Sequence, residues 1–286
     1  MIMCVVRMRM MPMTIHRFGR SRSTFPVTFP PSFSFLQTSS FHTWSYTNIL
    51  IFTLSTLTFL NILDVIAAKI LGKLFPKRIP SRAPDRPFTK FEIFFINFNR
   101  LFTVWFNSLL IKETSTDPFI SWSYDSMSTT KGLLDVGIGF FVLFFVDDAL
   151  YYIWHRSLHY GFLYRLIHKH HHKNISPGAL TDDAYNANPI EFIVTAFFFL
   201  GSINLLKLVL PSLHVISVVA FASVNATLAA INHSRIDMDL GSWIYSSKNH
   251  DEHHGRGHGN YAQFLKIIDV FGGTRVEWSG DEGKNR

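Results

Sequence analysis

The chain has 286 residues, of which 48% are hydrophobic, 15% are aromatic and only 16% are charged, whereas a typical soluble domain carries about 25% charged residues. This composition excludes a mainly disordered chain and a collagen-like or fibrous one. The single cysteine, Cys4, excludes a disulfide framework and every cysteine-based zinc or iron–sulfur site, so any metal must be held by His, Asp or Glu.

The formal net charge of +7 raises the question of a nucleic-acid partner. The basic residues, however, cluster near the N-terminus and in the segment 72–90, and they do not form one surface with stacking aromatics. Clusters of this kind beside apolar segments are typical of charge that flanks a membrane. We therefore expect a membrane, and no nucleic acid, among the partners.

Residues 1–48 are predicted to form a disordered basic leader. They hold five arginines and many Ser, Thr, Pro and Phe residues, and the first acidic residue of the chain is Asp64. This composition is typical of a transit or signal-like leader and equally of a misassigned gene start. A basic tail with no function of its own is the simplest interpretation.

Five apolar stretches follow, and a helix that crosses a hydrocarbon core about 30 Å thick needs roughly 20 residues. Thr and Ser dilute the first stretch, so both a full crossing and an interfacial position stay open for it. The second contains Arg100, which costs about 2.5 to 3.5 kcal/mol in the bilayer unless it is paired or reaches the interface. Pro211 and Ser212 separate the last two and predict a helical hairpin. The stretches are 49–71, 91–111, 133–154, 190–210 and 213–231.

Loop charge predicts the orientation of these stretches. The segment 72–90 carries six basic residues against one acidic residue, and the positive-inside rule assigns it to the cytosol. The weakly acidic stretch 112–131 is then lumenal, and the chain returns to the cytosol just before His155. Every histidine cluster is thus predicted on one face. A full crossing by 49–71 would put the arginine-rich N-terminus in the lumen, against the same rule, so either that stretch does not cross or the leader is absent from the mature protein.

Histidine is unusually concentrated, because twelve of the fourteen lie between His155 and His258. Residues four apart on a helix stack on one face about 6 Å apart, where two imidazoles can hold one metal. In each HxxHH triplet we expect the first two histidines to share a face, with the third beside the second, so that one short helix serves two neighbouring ions. One HxxHH motif is expected by chance only about 0.03 times in such a chain, which argues against packed core histidines. The motifs comprise His155 and His159; His168, His171 and His172; and His250, His253 and His254.

The number of ligands predicts two metal ions. The eight histidines of these motifs, with His233 at the end of the predicted hairpin, exceed what one ion with four to six positions can use. Two ions leave room for oxygen or water. Imidazole suits zinc, copper, iron and nickel alike, so the residues alone leave the identity of the metal open.

The ordered motifs resemble those of a known superfamily. HRSLH at 155–159, HKHHH at 168–172, NHS at 232–234 and HDEHH at 250–254, followed by Asn260-Tyr261 and Phe271-Gly272-Gly273-Thr274, resemble the fatty acid hydroxylase and sterol desaturase superfamily of membrane di-iron oxidases. The resemblance implies an all-α integral membrane helical bundle with a cytosolic histidine-rich metal-binding cap. It implies N-terminal membrane helices and loops at 49–132, a catalytic domain at 133–274 and a tail at 275–286.

The same resemblance implies the chemistry. Two iron ions with O2 as co-substrate would hydroxylate or desaturate a lipid, either a sterol or a fatty acyl or sphingolipid chain. Electrons would come from an external donor such as a cytochrome b type protein and its reductase, at the cytosolic face of the endoplasmic reticulum membrane. By motif position the implied metal ligands are His155, His159, His168, His171, His172, His233, His250, His253 and His254.

The chain departs from the superfamily at two positions. Members often have His-Pro-x-Glu where this chain has Asn188-Pro189-Ile190-Glu191, and some have a histidine where this chain has Ala229. One ligand is then missing, or is replaced by water or Asn225. These departures bear on activity more than on metal binding.

Ions held mainly by neutral imidazoles keep a high positive charge, so we expect acidic partners on the free ring nitrogens. Asp148 is the first candidate for this catalytic role, because it lies seven residues before His155 and within 20° on the same helical face. The axial rise of about 10 Å means that its partner should be a histidine of another motif. A solvated carboxylate at a helix end is the alternative interpretation, although acids within apolar stretches tend to be functional. Further candidates are Asp147, Asp182, Asp183, Glu191, Asp251 and Asp269.

The remaining histidines are not expected to bind metal. His170 occupies the variable position of its motif and His258 lies in a glycine-spaced loop, so both are interpreted as solvent-facing. His16, His42 and His214 lie outside the motifs.

The alternative function is a non-catalytic membrane protein that binds or transports zinc or copper. A transporter places ionisable ligands near the middle of the membrane. Nearly all of the histidines here lie outside the apolar stretches, which favours the enzyme.

Overall fold

Five long helices of the computed structural model carry the five apolar stretches, so the helical fold predicted from the sequence is confirmed. The structure describes residues 45–84, 86–123, 129–179 and 181–280. The predicted leader lies almost wholly outside these residues, as do Cys4, His16 and His42 and the last six residues of the tail. In chain order the elements are α1 (Tyr46–Leu74), α2 (Lys90–Thr116), β1 (Ile120–Ser121), α3 (Thr130–Leu158), α4 (Gly161–Leu166), a 3₁₀ helix (His168–Lys173), α5 (Thr181–Tyr185), α6 (Pro189–Leu206), β2 (Leu213–His214), α7 (Val215–Asn232), α8 (Ser247–Arg256) and α9 (Lys266–Phe271).

Side-chain caps fix where the long helices begin. Thr89 and Glu92 form a capping box at the start of α2, in which the Glu92 N–H donates to Thr89 Oγ1 at 3.3 Å and the Thr89 N–H donates to Glu92 Oε2 at 2.8 Å. Asn188 caps α6, and Pro189 takes the first helical position, where its missing N–H costs nothing. α6 therefore starts one residue before the apolar stretch 190–210 and carries Glu191 in its first turn.

The apolar core lies between α3, α6 and α7. Leu143 and Leu206 are fully buried there, and Phe221 packs edge-on against Phe144 with ring centroids 6.0 Å apart. A parallel pair of two-residue strands, with Ile120 opposite Leu213, joins the end of α2 to the start of α7. These two strands are a small addition to the helical fold that was predicted. The core fixes the ends of α3 and α7, where two of the histidine motifs begin.

Length and apolar composition make α6 and α7 candidate membrane spans within the described residues. The sequence predicts these two helices as a hairpin, whereas in the structure each packs most extensively against α3. Large apolar side chains also face outward on other long helices, with Leu101 of α2 72% exposed and Phe141 of α3 69% exposed.

Short elements at one end of the long helices carry most of the histidines. The third motif lies on α8, as expected for a short helix, and α8 ends at Gly257, whose φ of +71° is the left-handed conformation that favours glycine. The second motif lies on a 3₁₀ helix, although an α-helix was expected. This segment is only six residues long, and short helical pieces often adopt the tighter winding.

Candidate metal centre

Nine buried or half-buried histidines converge in two adjacent groups, and they are the nine that the sequence predicts as ligands. In each group the nitrogen atoms that face inward lie within 4.8 Å of one another. The five-histidine group comprises His155, His159, His168, His172 and His253, and the four-histidine group comprises His171, His233, His250 and His254.

Each HxxHH motif contributes to both groups, but in a different pairing from the one expected. The first and third histidines share a group: His168 and His172 have Nε2 atoms 3.0 Å apart, and His250 and His254 have Nε2 atoms 3.1 Å apart. The expectation that the first two histidines share a face was wrong. On an α-helix, residues four apart differ by about 40° of rotation and adjacent residues by about 100°. On α8 the middle histidine, His253, therefore points across to the other group.

Hydrogen bonds from the outer ring nitrogens fix the tautomers. A backbone carbonyl is only an acceptor, so an Nδ1 that contacts one must carry the hydrogen, and Nε2 must then carry the lone pair. Four histidines donate to carbonyl oxygens in this way, and His168 Nδ1 contacts Glu191 Oε1 at 2.9 Å. The four contacts are His155 to Tyr261 at 2.7 Å, His253 to Gly259 at 2.7 Å, His254 to Asn174 at 2.9 Å and His233 to Ala229 at 2.8 Å.

The inward nitrogens fit metal ions. His155 Nε2 and His168 Nε2 lie 3.0 Å apart, and because both Nδ1 atoms are engaged as donors, neither Nε2 has a hydrogen to share. Two lone pairs so close repel unless a cation lies between them, and about 3 Å separates neighbouring ligands at bond lengths of about 2.1 Å. Within the described residues the buried Nε2 atoms of His159 and His253 have no hydrogen-bond partner. A buried polar atom left unpaired costs about 1 to 3 kcal/mol, and coordination removes that cost.

Burial keeps the imidazoles neutral. It lowers the pKa of His159, His168 and His171 to about 3, well below the ordinary value near 6.5. Burial likewise lowers the pKa of His253 and His254 far below that value, with neighbouring histidines adding to the effect. Neutral imidazole is the form that binds metal, so both groups are ready for ions near neutral pH.

Glu191, and not Asp148, is the carboxylate that contacts a histidine of these groups. Asp148 Oδ1 accepts the backbone N–H groups of Gln263 and Phe264 at 2.8 and 3.2 Å, and its Oδ2 accepts that of Leu265 at 2.6 Å. The predicted contact between Asp148 and a histidine is therefore corrected. The helical face was predicted correctly, but the segment that folds back against it is the loop after α8.

That loop supplies two of the carbonyl acceptors. Asp269 holds it from the other side, since its carboxylate accepts the N–H groups of Tyr261 and Ala262 at 2.7 and 3.0 Å. Gly259 has a φ of +74°, and a Cβ there would lie 2.3 Å from Val276 Cγ2. Asp148 thus stabilises the loop that orients His155, one step away from the histidine itself.

Arg82 was missed by the sequence reasoning, which treated it as membrane-flanking charge. Its guanidinium forms ion pairs with both acids of the HDEHH motif, Asp251 and, at 2.7 Å, Glu252. Both carboxylates are almost fully buried. Two adjacent acids inside a buried motif indicate that a cation lies nearby. Spacing cannot identify that cation as Arg82, because Arg82 lies 169 residues away from Asp251 in the sequence. Arg82 thereby fixes the face that α8 turns toward the histidines.

Of the other acidic candidates, Asp183 stabilises the loop after the 3₁₀ helix. Its carboxylate accepts from Asn174 Nδ2 at 2.9 Å and from the N–H groups of Gly178 and Ala179 at 2.8 Å. Asp147 contacts Ser202 at 3.3 Å inside the helical core. Asp182 pairs with Arg100 at the surface, which gives the charge in the second apolar stretch a partner.

The remaining described histidines lie outside both groups. His214 caps α7, and His258 is exposed. His170 is buried, contrary to the solvent-facing position expected, with its Nε2 2.8 Å from Asn186 Oδ1 and its ring 4.7 Å from that of Phe95. His170 directly precedes His171 and His172 on the tightly wound 3₁₀ helix, and all three are buried.

A cavity of about 280 Å³ lies between α2, α3, α6 and α7 and ends at the histidines. Its walls are largely apolar, with Phe102, Phe106, Phe192, Phe199 and several alanines, and its polar lining includes Thr195 and Asn225. At the two positions that depart from the superfamily pattern, Asn188 caps α6 and Ala229 lines this cavity. The four-histidine group therefore adjoins a space suited to an apolar molecule.

Comparison with known proteins matches the same region. Residues 140–274 match the fatty acid hydroxylase family. A methylsterol monooxygenase of Aspergillus fumigatus is 32% identical over 139 residues, which are 46% of this chain and 45% of that protein. Methylsterol monooxygenase 1 of Rattus norvegicus is 31% identical over 46% of this chain and 45% of its own length, and lathosterol oxidase of Homo sapiens is 28% identical over 50% and 46%.

The match spans about half the length of these curated relatives. No solved structure gives a significant match. The matched segment 140–274 contains all of the histidine motifs and both histidine groups. The histidine-bearing part of this chain belongs to the fatty acid hydroxylase and sterol desaturase superfamily.

Proposed function

We propose that this protein is an integral membrane oxidoreductase that uses O2 and two iron ions to hydroxylate or desaturate a lipid. One observation carries the proposal: two all-histidine groups lie side by side, and one of them lines a largely apolar cavity. Imidazole ligands suit iron, zinc and copper alike. The apolar cavity favours a reaction on a lipid over simple metal binding or transport, which needs no such space.

The five-histidine group would hold one ion and the four-histidine group the other. Attack on an unactivated C–H bond needs an oxidant that no side chain supplies, and bound iron with O2 supplies it. The residues of the chain orient the ligands and exclude water. Glu191 keeps the Nε2 lone pair of His168 directed inward, and the Tyr261 and Gly259 carbonyls do the same for His155 and His253.

The substrate class follows from the cavity and the relatives. Aromatic rings and alanines in the walls suit a flat or chain-like apolar body, while Thr195 and Asn225 offer hydrogen bonds to a polar group on it. Two of the relatives carry methylsterol in their names and one carries lathosterol. A sterol is therefore the first substrate to test, with fatty acyl and sphingoid lipids as the alternatives.

The long helices support a membrane location for this enzyme. α6 and α7 have the length and composition of spans, and outward apolar side chains on α2 and α3 suit a lipid surrounding. The basic segment 72–90 contacts the cap through Arg82, so the positive-inside rule and that ion pair together favour a cytosolic active site in the endoplasmic reticulum. A cytochrome b type protein and its reductase would then supply electrons from the same side.

The proposal is tested by expressing the full chain in membranes with iron and adding a methylsterol or lathosterol under air. We expect an oxidised sterol by mass spectrometry, with O2 consumed in proportion, and no product from His253→Ala. His214→Ala is the matched control and should retain turnover. Iron-loaded protein that consumes no O2 with any of the three lipid classes, yet binds zinc or copper tightly, would favour the non-catalytic alternative.

A further inference from the structure

The cavity meets only one of the two histidine groups. Its lining includes His171, His233 and His250, which are three members of the four-histidine group, and no member of the five-histidine group. A molecule in the cavity therefore approaches the two groups unequally. Any ion in the four-histidine group lies next to this space.

The two groups also differ in the number of ligands that the chain offers. Five imidazoles leave an ion with six positions one vacancy, and four imidazoles leave it two. In the cavity wall beside the four-histidine group, the residue one helical turn before His233 is Ala229, which offers no ligand atom. The Ala229 methyl group leaves open the space that a longer side chain would fill.

Histidines four residues apart on one helix share a group elsewhere in this structure, and Ala229 stands where such a partner of His233 would be. His250 and His254 are four apart on α8 and share one group, and His155 and His159 are four apart at the end of α3 and share the other. Positions 229 and 233 stand in the same relation on α7. The Ala229 carbonyl already orients His233 through Nδ1 at 2.8 Å, so the side chain at 229 is not needed for that purpose.

We infer that the four-histidine group keeps an open coordination position directed into the cavity past Ala229, and that small exogenous ligands bind at this ion and not at the other. The inference rests on the metal centre of the proposed function and deepens it by assigning the two groups different tasks. The five-histidine group holds its ion away from the cavity. The four-histidine group presents its ion to whatever the cavity holds.

The test uses azide as the probe on the purified, iron-loaded full chain, with binding followed by absorbance and iron loss to a chelator followed in parallel. The unmodified protein should bind one azide per chain. Ala229→His should weaken azide binding at least tenfold and slow the loss of one of the two irons, because a fifth imidazole fills the open position. Azide bound by Ala229→His as tightly as by the unmodified protein, or two azides per unmodified chain, would overturn the inference.

Ala222→His is the matched control. Ala222 also lines the cavity, but it lies two turns before Ala229, about 10 Å further along the helix axis. An imidazole there cannot reach the ion, so azide affinity and iron loss should equal those of the unmodified protein. If Ala222→His changes both as much as Ala229→His does, bulk in the cavity is responsible and the open position is refuted.

A second measurement needs no variant. 1-Butylimidazole and 1-methylimidazole present the same ligand nitrogen, but only the butyl chain extends into an apolar space. Each buried methylene should add up to about fourfold in affinity, so the butyl compound should bind at least tenfold more tightly. Equal affinities would contradict an open position that faces the cavity. Both probes report on the ion alone, so lipid oxidation can fail while the inference stands, and the reverse.

Discussion

Two regions differ in which side chains they bury: the cap, meaning the two histidine groups with the 3₁₀ helix, α8 and the loop after it, and the long helices. The cap buries polar side chains, and the long helices expose apolar ones. In the cap, eight of the nine grouped histidines are buried along with Asp251 and Glu252. On the long helices, Leu101 and Phe141 are mostly exposed. Buried imidazoles without partners require something inside the protein, and exposed apolar surface requires something outside it. Under the proposed function, metal ions in the cap and lipid around the helices would satisfy both requirements.

The two regions also differ in the kind of contact that stabilises them. Hydrogen bonds and ion pairs in the cap run between distant segments, such as Arg82 to α8 and Asp148 to the loop after it. The helices depend on packing around Phe144 and Phe221. Substitutions in the two regions should therefore fail in different ways, first in metal content in the cap and first in folding in the helices.

The largest effect is expected from removing a ligand. His172→Ala, which takes a ligand from the five-histidine group, and His171→Ala, which takes one from the four-histidine group, should each abolish lipid oxidation because an ion loses a ligand. Iron content per folded chain, measured with turnover, checks this result. His258→Ala, on an exposed residue outside both groups, should change neither quantity. Full turnover in stably expressed His171→Ala or His172→Ala would break the link between the groups and the chemistry.

Arg82→Ala tests whether long-range ion pairs hold the cap. Removing the guanidinium takes the cation from the buried Asp251 carboxylate and leaves Glu252 with Arg256 alone, which costs roughly 3 kcal/mol or more in the free energy of unfolding. The pair to Glu252 has a length of 2.7 Å with the acid 1% exposed, so little solvent screening is available. Denaturant unfolding measures the loss, and Lys131→Ala, which removes an exposed pair with Asp135, is the control with an expected loss under about 1 kcal/mol. Equal losses in both variants would contradict the assigned role of Arg82.

Glu191→Gln and Asp148→Asn separate two kinds of buried acid. Loss of the carboxylate on His168 Nδ1 should lower iron affinity or turnover about 10 to 100-fold, because the tautomer and the ligand strength depend on it. Asp148→Asn should instead lower the free energy of unfolding by about 1 to 3 kcal/mol, since the amide nitrogen that replaces one carboxylate oxygen cannot accept a backbone N–H. Iron titration and unfolding on both variants distinguish the roles. The reverse result would return the histidine-contacting role to Asp148.

A further effect, on stability alone, is expected from pH on the metal-free protein. The pKa values of His159, His168 and His171 are near 3 in the folded chain and about 6.5 when unfolded. As pH falls below 6.5 the unfolded chain takes up protons that the folded chain refuses, so the free energy of unfolding falls between pH 6.5 and 3. Each histidine contributes about 1.4 kcal/mol per pH unit once the difference is complete. A melting temperature equal at pH 7.5 and pH 5 would contradict neutral, buried imidazoles.

Spacing along the chain predicted the five helices and the eight histidines of the three motifs, because both depend on local periodicity. The resemblance to the superfamily, together with the place of His233 at the end of an apolar stretch, added the ninth. Which group each histidine enters depends on how the 3₁₀ helix and α8 are rotated against each other, and no local pattern records that. Asp148 was assigned to the correct helical face, but its partner is a backbone segment whose position depends on the turn at Gly259. Arg82 pairs across 169 residues, a separation at which sequence periodicity carries no signal.

The most direct test of the central claim is the iron content of folded, purified full-length protein, measured together with that of one variant from each group. The account predicts close to two irons per chain for the unmodified protein. It predicts close to one iron for His155→Ala and for His250→Ala, with the remaining ion in the group that was left intact. One iron or less in the unmodified, fully folded protein, or the loss of both irons from each variant without loss of folding, would contradict two adjacent sites.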